Sequence, residues 1–186
     1  MRLRHWGKDE LLIRQLLQAL GEDPDREGLV ETPRRMLDAL REMTNGCEVE
    51  IKNLFKTFDS CRYDEMIIVR DIPVTSLCEH HLLPFTGVAH IGYIPDDRIL
   101  GLSKFHRLVD ALARRLQVQE RLTRQIMCEI NAHMKPKGVG VVLECRHSCM
   151  ELRGSRCQGA MTVTSSLCGS IRNEHDCRAE FMRLIK

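Results

Sequence analysis

Two amphipathic helices in direct succession, set between two pairs of strand-like segments, constrain this chain more than any other feature. From Phe105, apolar side chains recur at Leu108, Val109, Leu112, Ala113 and Leu116, one face of a helical repeat. Val118, Leu122, Ile126, Ile130 and Met134 follow four apart, and Pro136-Lys137-Gly138 closes that run. Ahead of the helices, residues 65–77 are rich in Ile and Val, and Pro73 among them argues for an edge position or a bulge. Residues 85–95 form a second strand candidate ending at Pro95. Behind the helices, strand character returns at 139–152 and about 160–168, joined by the turn-like Arg153-Gly154-Ser155-Arg156, and a helix from about 174 to 185 finishes the chain.

Upstream lie two more helices. Leu12, Ile13, Leu16, Leu17 and Leu20 form one stripe, stopped by Gly21. Thr32-Pro33 reads as an N-cap followed by proline at the first helical position, opening a helix with Met36, Leu37, Leu40 and Met43 on one face. The order is α-α, then β-β-α-α-β-β. It predicts an α+β fold: an antiparallel sheet with two long helices over 61–186, preceded by a helical arm over 1–60. Four strands make a thin sheet with exposed edges, which an oligomer would cover.

Charge narrows the function. The 28 Lys and Arg against 26 Asp and Glu leave a net +2, so no basic field draws the chain to nucleic acid or anionic lipid. The start, Met1–Lys8, lacks the apolar core of a signal peptide, and no stretch approaches the roughly 18 apolar residues of a spanning helix. The expected location is cytoplasmic, with no membrane partner. In a reducing compartment, nine cysteines are either small buried hydrophobes or ligands and nucleophiles. The buried reading is assigned to Cys47, Cys61, Cys128, Cys157, Cys168 and Cys177.

The remaining cysteines sit in chemical company. In Cys78-Glu79-His80-His81, just past a strand, Cys78 and His81 are three apart, so one tight turn can aim both at a single ion. Counting by twos along 139–152, Val139, Val141, Leu143, Cys145, His147, Cys149 and Glu151 share a face. Cys149 or Cys145 can complete the site, with His147 beside it. Three protein ligands leave the fourth position of Zn2+ open to water, the pattern of a catalytic site.

Two further groups carry chemistry. In Gly101-Leu102-Ser103-Lys104-Phe105-His106-Arg107, Ser103 is placed to cap a helix whose first turn holds Lys104 and Arg107. Free N–H groups and two cations there suit a phosphate. At Gln117-Val118-Gln119-Glu120-Arg121, a carboxylate beside an amide can accept from the N1–H and N2–H₂ of guanine. The plainer alternatives are a helix cap with solvated cations and a carboxylate at a helix start.

With these blocks in order, the sequence resembles GTP cyclohydrolase I. Glu31-Thr32-Pro33-Arg34-Arg35, Cys78 to Phe85, Gly101 to Lys104, Gln117 to Thr123, His147-Ser148-Cys149-Met150, Arg153-Gly154 and Thr162 to Ser165 carry the resemblance, which runs from about residue 9 to the C-terminus. It implies zinc ligands Cys78, His81 and Cys149, and catalytic histidines His80 and His147. It implies triphosphate contacts from Ser103, Lys104, Arg107 and Arg153, with Arg35 contributed from a neighbouring part of the assembly, and guanine contacts from Gln119 and Glu120.

The fold so implied is the tunnelling fold, assembled as an oligomeric barrel: a homodecamer, a dimer of pentamers, with sites at subunit interfaces. The implied reaction converts GTP to 7,8-dihydroneopterin triphosphate and formate, the first step of tetrahydrofolate and pterin biosynthesis. A regulatory protein partner and allosteric control are compatible with the resemblance. A zinc nucleoside deaminase would show H-x-E and P-C-x-x-C, and both are absent. The alternative outside catalysis is a zinc-containing nucleotide-binding or regulatory relative.

Overall fold

The computed structural model describes residues 7–186, so the reading of Met1–Trp6 as free of a signal peptide lies outside the described residues. Residues up to Thr44 form one unit and Asn45–Lys186 a second. In the first, α1 (Lys8–Ala19) stops as expected, with Gly21 taking the left-handed φ of +85° that glycine adopts at little cost. In α2 (Thr32–Thr44), the Arg35 N–H donates to the Glu31 carbonyl at 3.1 Å, so Thr32 belongs to the first turn instead of capping it. Leu12, Leu16 and Leu20 stay exposed.

The second unit is built on a five-stranded sheet in the order β5-β2-β3-β6-β7. Its strands are β2 (Ile67–Cys78), β3 (Pro84–Ile94), β5 (Leu116–Gln117), β6 (Gly138–His147) and β7 (Thr162–Gly169). All neighbours run antiparallel except β2 and β5, which are parallel. Pro73 behaves as its chemistry demands. The β2–β3 register shifts between Val69 and Ile72, with Asp71 at φ +58°, and the outer side of β2 is paired only at Leu77 and Cys78. Two short strands escaped the sequence reading: β1 (Thr57–Asp59) and β4 (Arg98–Leu100) make a separate ribbon.

The two helices that organise the chain are α3 (Ser103–Ala113) and α4 (Gln119–Met134). Their apolar stripes, with Phe105, Leu108, Leu122, Ile126 and Ile130 buried, cover the sheet face that carries Val139, Val141, Leu143 and Cys145. The helical stripe was expected to reach Leu116. It stops at Ala113, and Leu116 turns outward in β5 at 44% exposure. On the opposite face a smaller cluster joins Val142 to Ile171, Phe181 and Ile185. Here α6 (Ser170–Asn173) and α7 (His175–Leu184) pack, and Gly92 and Gly140 leave room for the Phe181 ring: a Cβ on either would fall within 2.8 Å of it. Covered on both faces, β6 reads as a continuous apolar run where a half-exposed strand would alternate.

Two expectations are corrected. The strand expected over 139–152 ends at His147, and Ser148–Glu151 coils into a helical turn, α5, closed by the Leu152 N–H donating to the Ser148 carbonyl at 2.9 Å. The cysteines expected to be buried mostly are not. Cys47, Cys61, Cys128 and Cys157 are exposed and Cys177 is half-buried, because they fall on turns, loops and outward helix faces; Cys168 is half-buried on β7, and only Cys78 and Cys145 are buried. Among the described residues no helix is long and apolar enough to cross a membrane.

Candidate active site

The site forms where β2, β3 and β6 end together. Leu77 pairs with Pro84, so residues 78–83 make the β2–β3 connection. The Cys78 N–H donates to the Leu83 carbonyl at 2.9 Å, and the Leu82 N–H to the Cys78 carbonyl at 2.8 Å. Leu82 takes φ +55° to close the turn. This tight loop sets Cys78 Sγ 3.8 Å from His80 Nδ1 and 3.9 Å from His81 Nδ1. On the next strand, Phe85 pairs with His147, which brings the end of β6 beside the loop. The turn α5 then carries Cys149 inward.

Cys78, His81 and Cys149 thus come together, with one ligand atom from each lying within 4.8 Å of the others. The choice that residue periodicity left open is decided by where β6 stops. Cys149 reaches the cluster from the helical turn, off the strand face assigned to it. Cys145 stays on that face inside the core, where burial first, and then the Glu144 charge, push its thiol up to about 12. The atoms that converge belong to Cys78, His81 and Cys149, and Cys145 is not among them.

The three residues fit zinc. Two thiols and an imidazole are its preferred soft and borderline donors, and a tetrahedral ion spaces such atoms by roughly 3.3–3.8 Å. The 3.9 Å between Cys78 Sγ and His81 Nδ1 is close to that spacing. Burial, and next the Cys78 charge, hold the Cys149 thiol above its ordinary value. Two sulfurs crowd one another there in a way that a cation between them would relieve. Arg153, expected on the triphosphate, reaches the same cluster, its guanidinium 2.8 Å from His81 Nε2.

Beside the cluster is a cavity of about 210 Å³ whose walls include Cys78, His80, Gln119, Glu120, His147 and Cys149. His147 stacks on Phe85, with ring centroids 4.8 Å apart and planes 15° from parallel, and its Nε2 lies 2.9 Å from Gln119 Oε1. Burial holds the imidazole below its ordinary pKa, outweighing the opposite pull of Glu120. His80 is exposed at the rim. Gln119, at 1% exposure, points its amide into the protein, whereas the Glu120 carboxylate is exposed and has no hydrogen-bond or ion-pair partner among the described residues.

The phosphate group of residues is not in this cavity. Ser103, Lys104 and Arg107 sit in the first two turns of α3 and do not line it. Leu102 occupies the cap position with no side-chain hydrogen bond, so Ser103 is not the cap that was expected. Lys104 and Arg107 meet no carboxylate among the described residues. Arg35 is on α2, in the first unit.

One bracing network carried no role in the sequence reading. Arg121 donates to the Glu79 carboxylate, to the Leu116 carbonyl at 2.8 Å and to Gln117 Oε1 at 2.9 Å. Gln117 in turn donates to Gln125 Oε1 at 2.8 Å. The Arg121 hydrogen bond holds the Glu79 carboxyl below its usual range, and the loop bearing Cys78 and His81 is thereby tied to the start of α4. Glu79 and Arg121 were visible in the motifs, but 42 residues separate them and nothing local pairs them.

The sequence profile of GTP cyclohydrolase I matches residues 10–186. GTP cyclohydrolase 1 of Dictyostelium discoideum is 53% identical over 175 residues, covering 94% of this chain and 75% of that one. The protein of the same name from Thermoanaerobacter pseudethanolicus is 51% identical over 174 residues, 93% of each chain. That from Thermobifida fusca is 50% identical over 178 residues, 95% of this chain and 86% of its own.

Proposed function

The chain belongs to the GTP cyclohydrolase I family and is an enzyme of that kind, and from this premise we propose that it opens the imidazole ring of GTP with zinc held by Cys78, His81 and Cys149. The products are 7,8-dihydroneopterin triphosphate and formate, which places the reaction at the head of pterin and tetrahydrofolate synthesis. One observation carries the reading: Cys78 and Cys149 of the Cys-His-Cys cluster, His80, His147 and the unpaired Glu120 carboxylate line one cavity.

Zinc, when bound there, supplies Lewis acidity and a water whose pKa falls to about 7. The rest is the work of side chains. Glu120 accepts from guanine N1–H and N2–H₂, a pair of donors that adenine lacks, and so orients the base. The side-chain amide of Gln119 is engaged within the protein, so its contact with the base falls to its main-chain N–H, which the first turn of a helix leaves without an intrahelical acceptor. His147 transfers a proton at the ring nitrogen, which makes C8 electrophilic. His80, at the rim, moves protons during ring opening and formate release.

About 210 Å³ suits a base and part of a ribose and falls short of the roughly 300–1,000 Å³ of a pocket for a whole ligand. The triphosphate therefore lies outside it, held by Arg153 and by Ser103, Lys104, Arg107 and Arg35 of neighbouring copies. Their binding energy, remote from C8, holds the intermediates in place. In this reading residues 61–186 form the catalytic domain and the arm, 1–60, serves assembly, in a homodecamer located in the cytoplasm.

The test is to incubate the purified protein with GTP, oxidise the mixture, and follow pterin fluorescence and formate, with metal measured on the same sample. The expected result is pterin and formate in equal amounts with about one zinc per chain. Tight GTP binding with zinc but neither product would overturn the reading in favour of a nucleotide-binding relative.

A further inference from the structure

We propose that Gln119 is a positioning residue that fixes the tautomer of His147, keeping a proton on Nε2 and leaving the lone pair on Nδ1. The direction of the Gln119 amide follows from its surroundings. Its Nε2 lies 3.1 Å from the Leu143 carbonyl and 2.9 Å from the Thr162 carbonyl. Main-chain carbonyls only accept, so turning the amide over would set an oxygen against two oxygens.

A third contact agrees with the first two. Thr123 Oγ1 lies 2.7 Å from the Gln119 carbonyl, which can only accept, so the Thr123 hydroxyl proton is engaged there. The 2.6 Å contact between the Thr123 and Thr164 hydroxyls must then have Thr164 as donor. Thr164 Oγ1 is thereby left as an acceptor, 3.1 Å from Gln119 Nε2. Each proton in this chain of four groups has one consistent place.

With the amide so directed, Gln119 Oε1 faces His147 Nε2 at 2.9 Å and requires an N–H there. The opposite tautomer would set two lone pairs against each other in a part-buried place. Stacking on Phe85 holds the plane of the imidazole that receives this contact. Proton traffic through His147 must therefore use Nδ1. The amide protons of Gln119 are already shared among three acceptors, so its side chain has no donor left for a purine.

The tautomer is read directly from nitrogen-15 spectra of the full-length, metal-loaded protein labelled in histidine, at about pH 8 where neutral imidazole prevails. The His147 signals are identified by their loss in His147→Asn. The expected wild-type spectrum has a protonated Nε2 and a bare Nδ1; the reverse overturns the proposal, whether or not any variant folds. In Gln119→Leu both tautomers should appear, and an unchanged spectrum would overturn the role of Gln119.

The kinetic arm rests on the catalytic reading of His147 above. Gln119→Leu should lower kcat by roughly 10- to 100-fold with KM for GTP shifted less than about threefold. A raised KM with kcat intact would overturn the proposal and restore the side chain as a base contact. A protonated Nε2 that becomes mixed in Gln119→Leu, with kcat unmoved, would uphold the lock and overturn the role of His147 in turnover.

Discussion

Cys149 and His147 are two residues apart and face one cavity, yet the chemistry divides between them. Cys149 is one of three groups whose atoms converge, and the proposed zinc would take its thiolate. His147 is held by Phe85 and Gln119 outside that set. Cys149→Ser should therefore lose zinc and activity together, whereas His147→Ala should keep about one zinc per chain while kcat falls by roughly 10²- to 10⁴-fold. Metal analysis and pterin release on the same preparations check both, and a metal-free His147→Ala would overturn the division. Residue types and spacing alone made Cys78, His81 and His147 legible, but they could not separate Cys145 from Cys149. That choice depends on a strand ending at His147 and a helical turn following it.

The strands and turns around the site answer to packing and to charge. Gly87 of β3 pairs with Cys145 of β6, and a Cβ there would lie 1.9 Å from the Glu144 carbonyl oxygen and 2.7 Å from Cys145 Cα. Both obstacles are main chain, so Gly87→Ala must push β6 away two residues from the Phe85–His147 pair. Overpacking of this kind costs about 1–3 kcal/mol or more, and a fall of several degrees in Tm with loss of turnover is expected, read by calorimetry and pterin assay.

Two carboxylates brace the turns that present the ligands. Arg121 beside Glu79, and Arg146 with the Gly159 N–H beside Glu151, hold both carboxyls below their ordinary values. As pH falls below about 4.5 the unfolded chain takes up these protons first, so this stabilisation is complete above that value and is lost as pH drops through the folded values. Denaturant titrations from about pH 7 to 3 should show an acid limb that is shallower in Glu79→Gln with Glu151→Gln than in the wild type. A limb of unchanged slope would deny both braces.

At the scale of the whole molecule, one chain presents the residues of the proposed site in two places. The cavity is lined by Cys78, Cys149, His147 and Glu120, whereas Ser103, Lys104 and Arg107 lie on α3 outside it. The sheet has open edges along β7 and along most of β2. Backbone groups left unpaired there favour assembly with further copies. If neighbouring copies complete each site, His147→Ala and Lys104→Ala proteins, each inactive alone, should regain activity when unfolded together and reassembled as mixed oligomers. Native mass spectrometry would verify the mixing, and mixed but inactive assemblies would place the whole site in a single chain.

What the sequence by itself determined is whatever local periodicity encodes. The paired strands flanking two helices follow from apolar spacing of two and of nearly four, and the stops at Gly21 and Pro136 follow from backbone chemistry. The turn through Cys78 and His81 follows from a three-residue separation that one loop can span. The tertiary structure alone decided what depends on partners distant in the chain: Glu79 meeting Arg121, Cys145 sealed in the core while Cys149 swings in, Gln119 directed by Leu143, Thr162 and Thr164 toward His147. A hydrogen-bond donor carries no mark in the sequence of which remote acceptor it will meet. Only the register of β6 against β3 and β7 supplies that information, because it sets which main-chain carbonyls face α4.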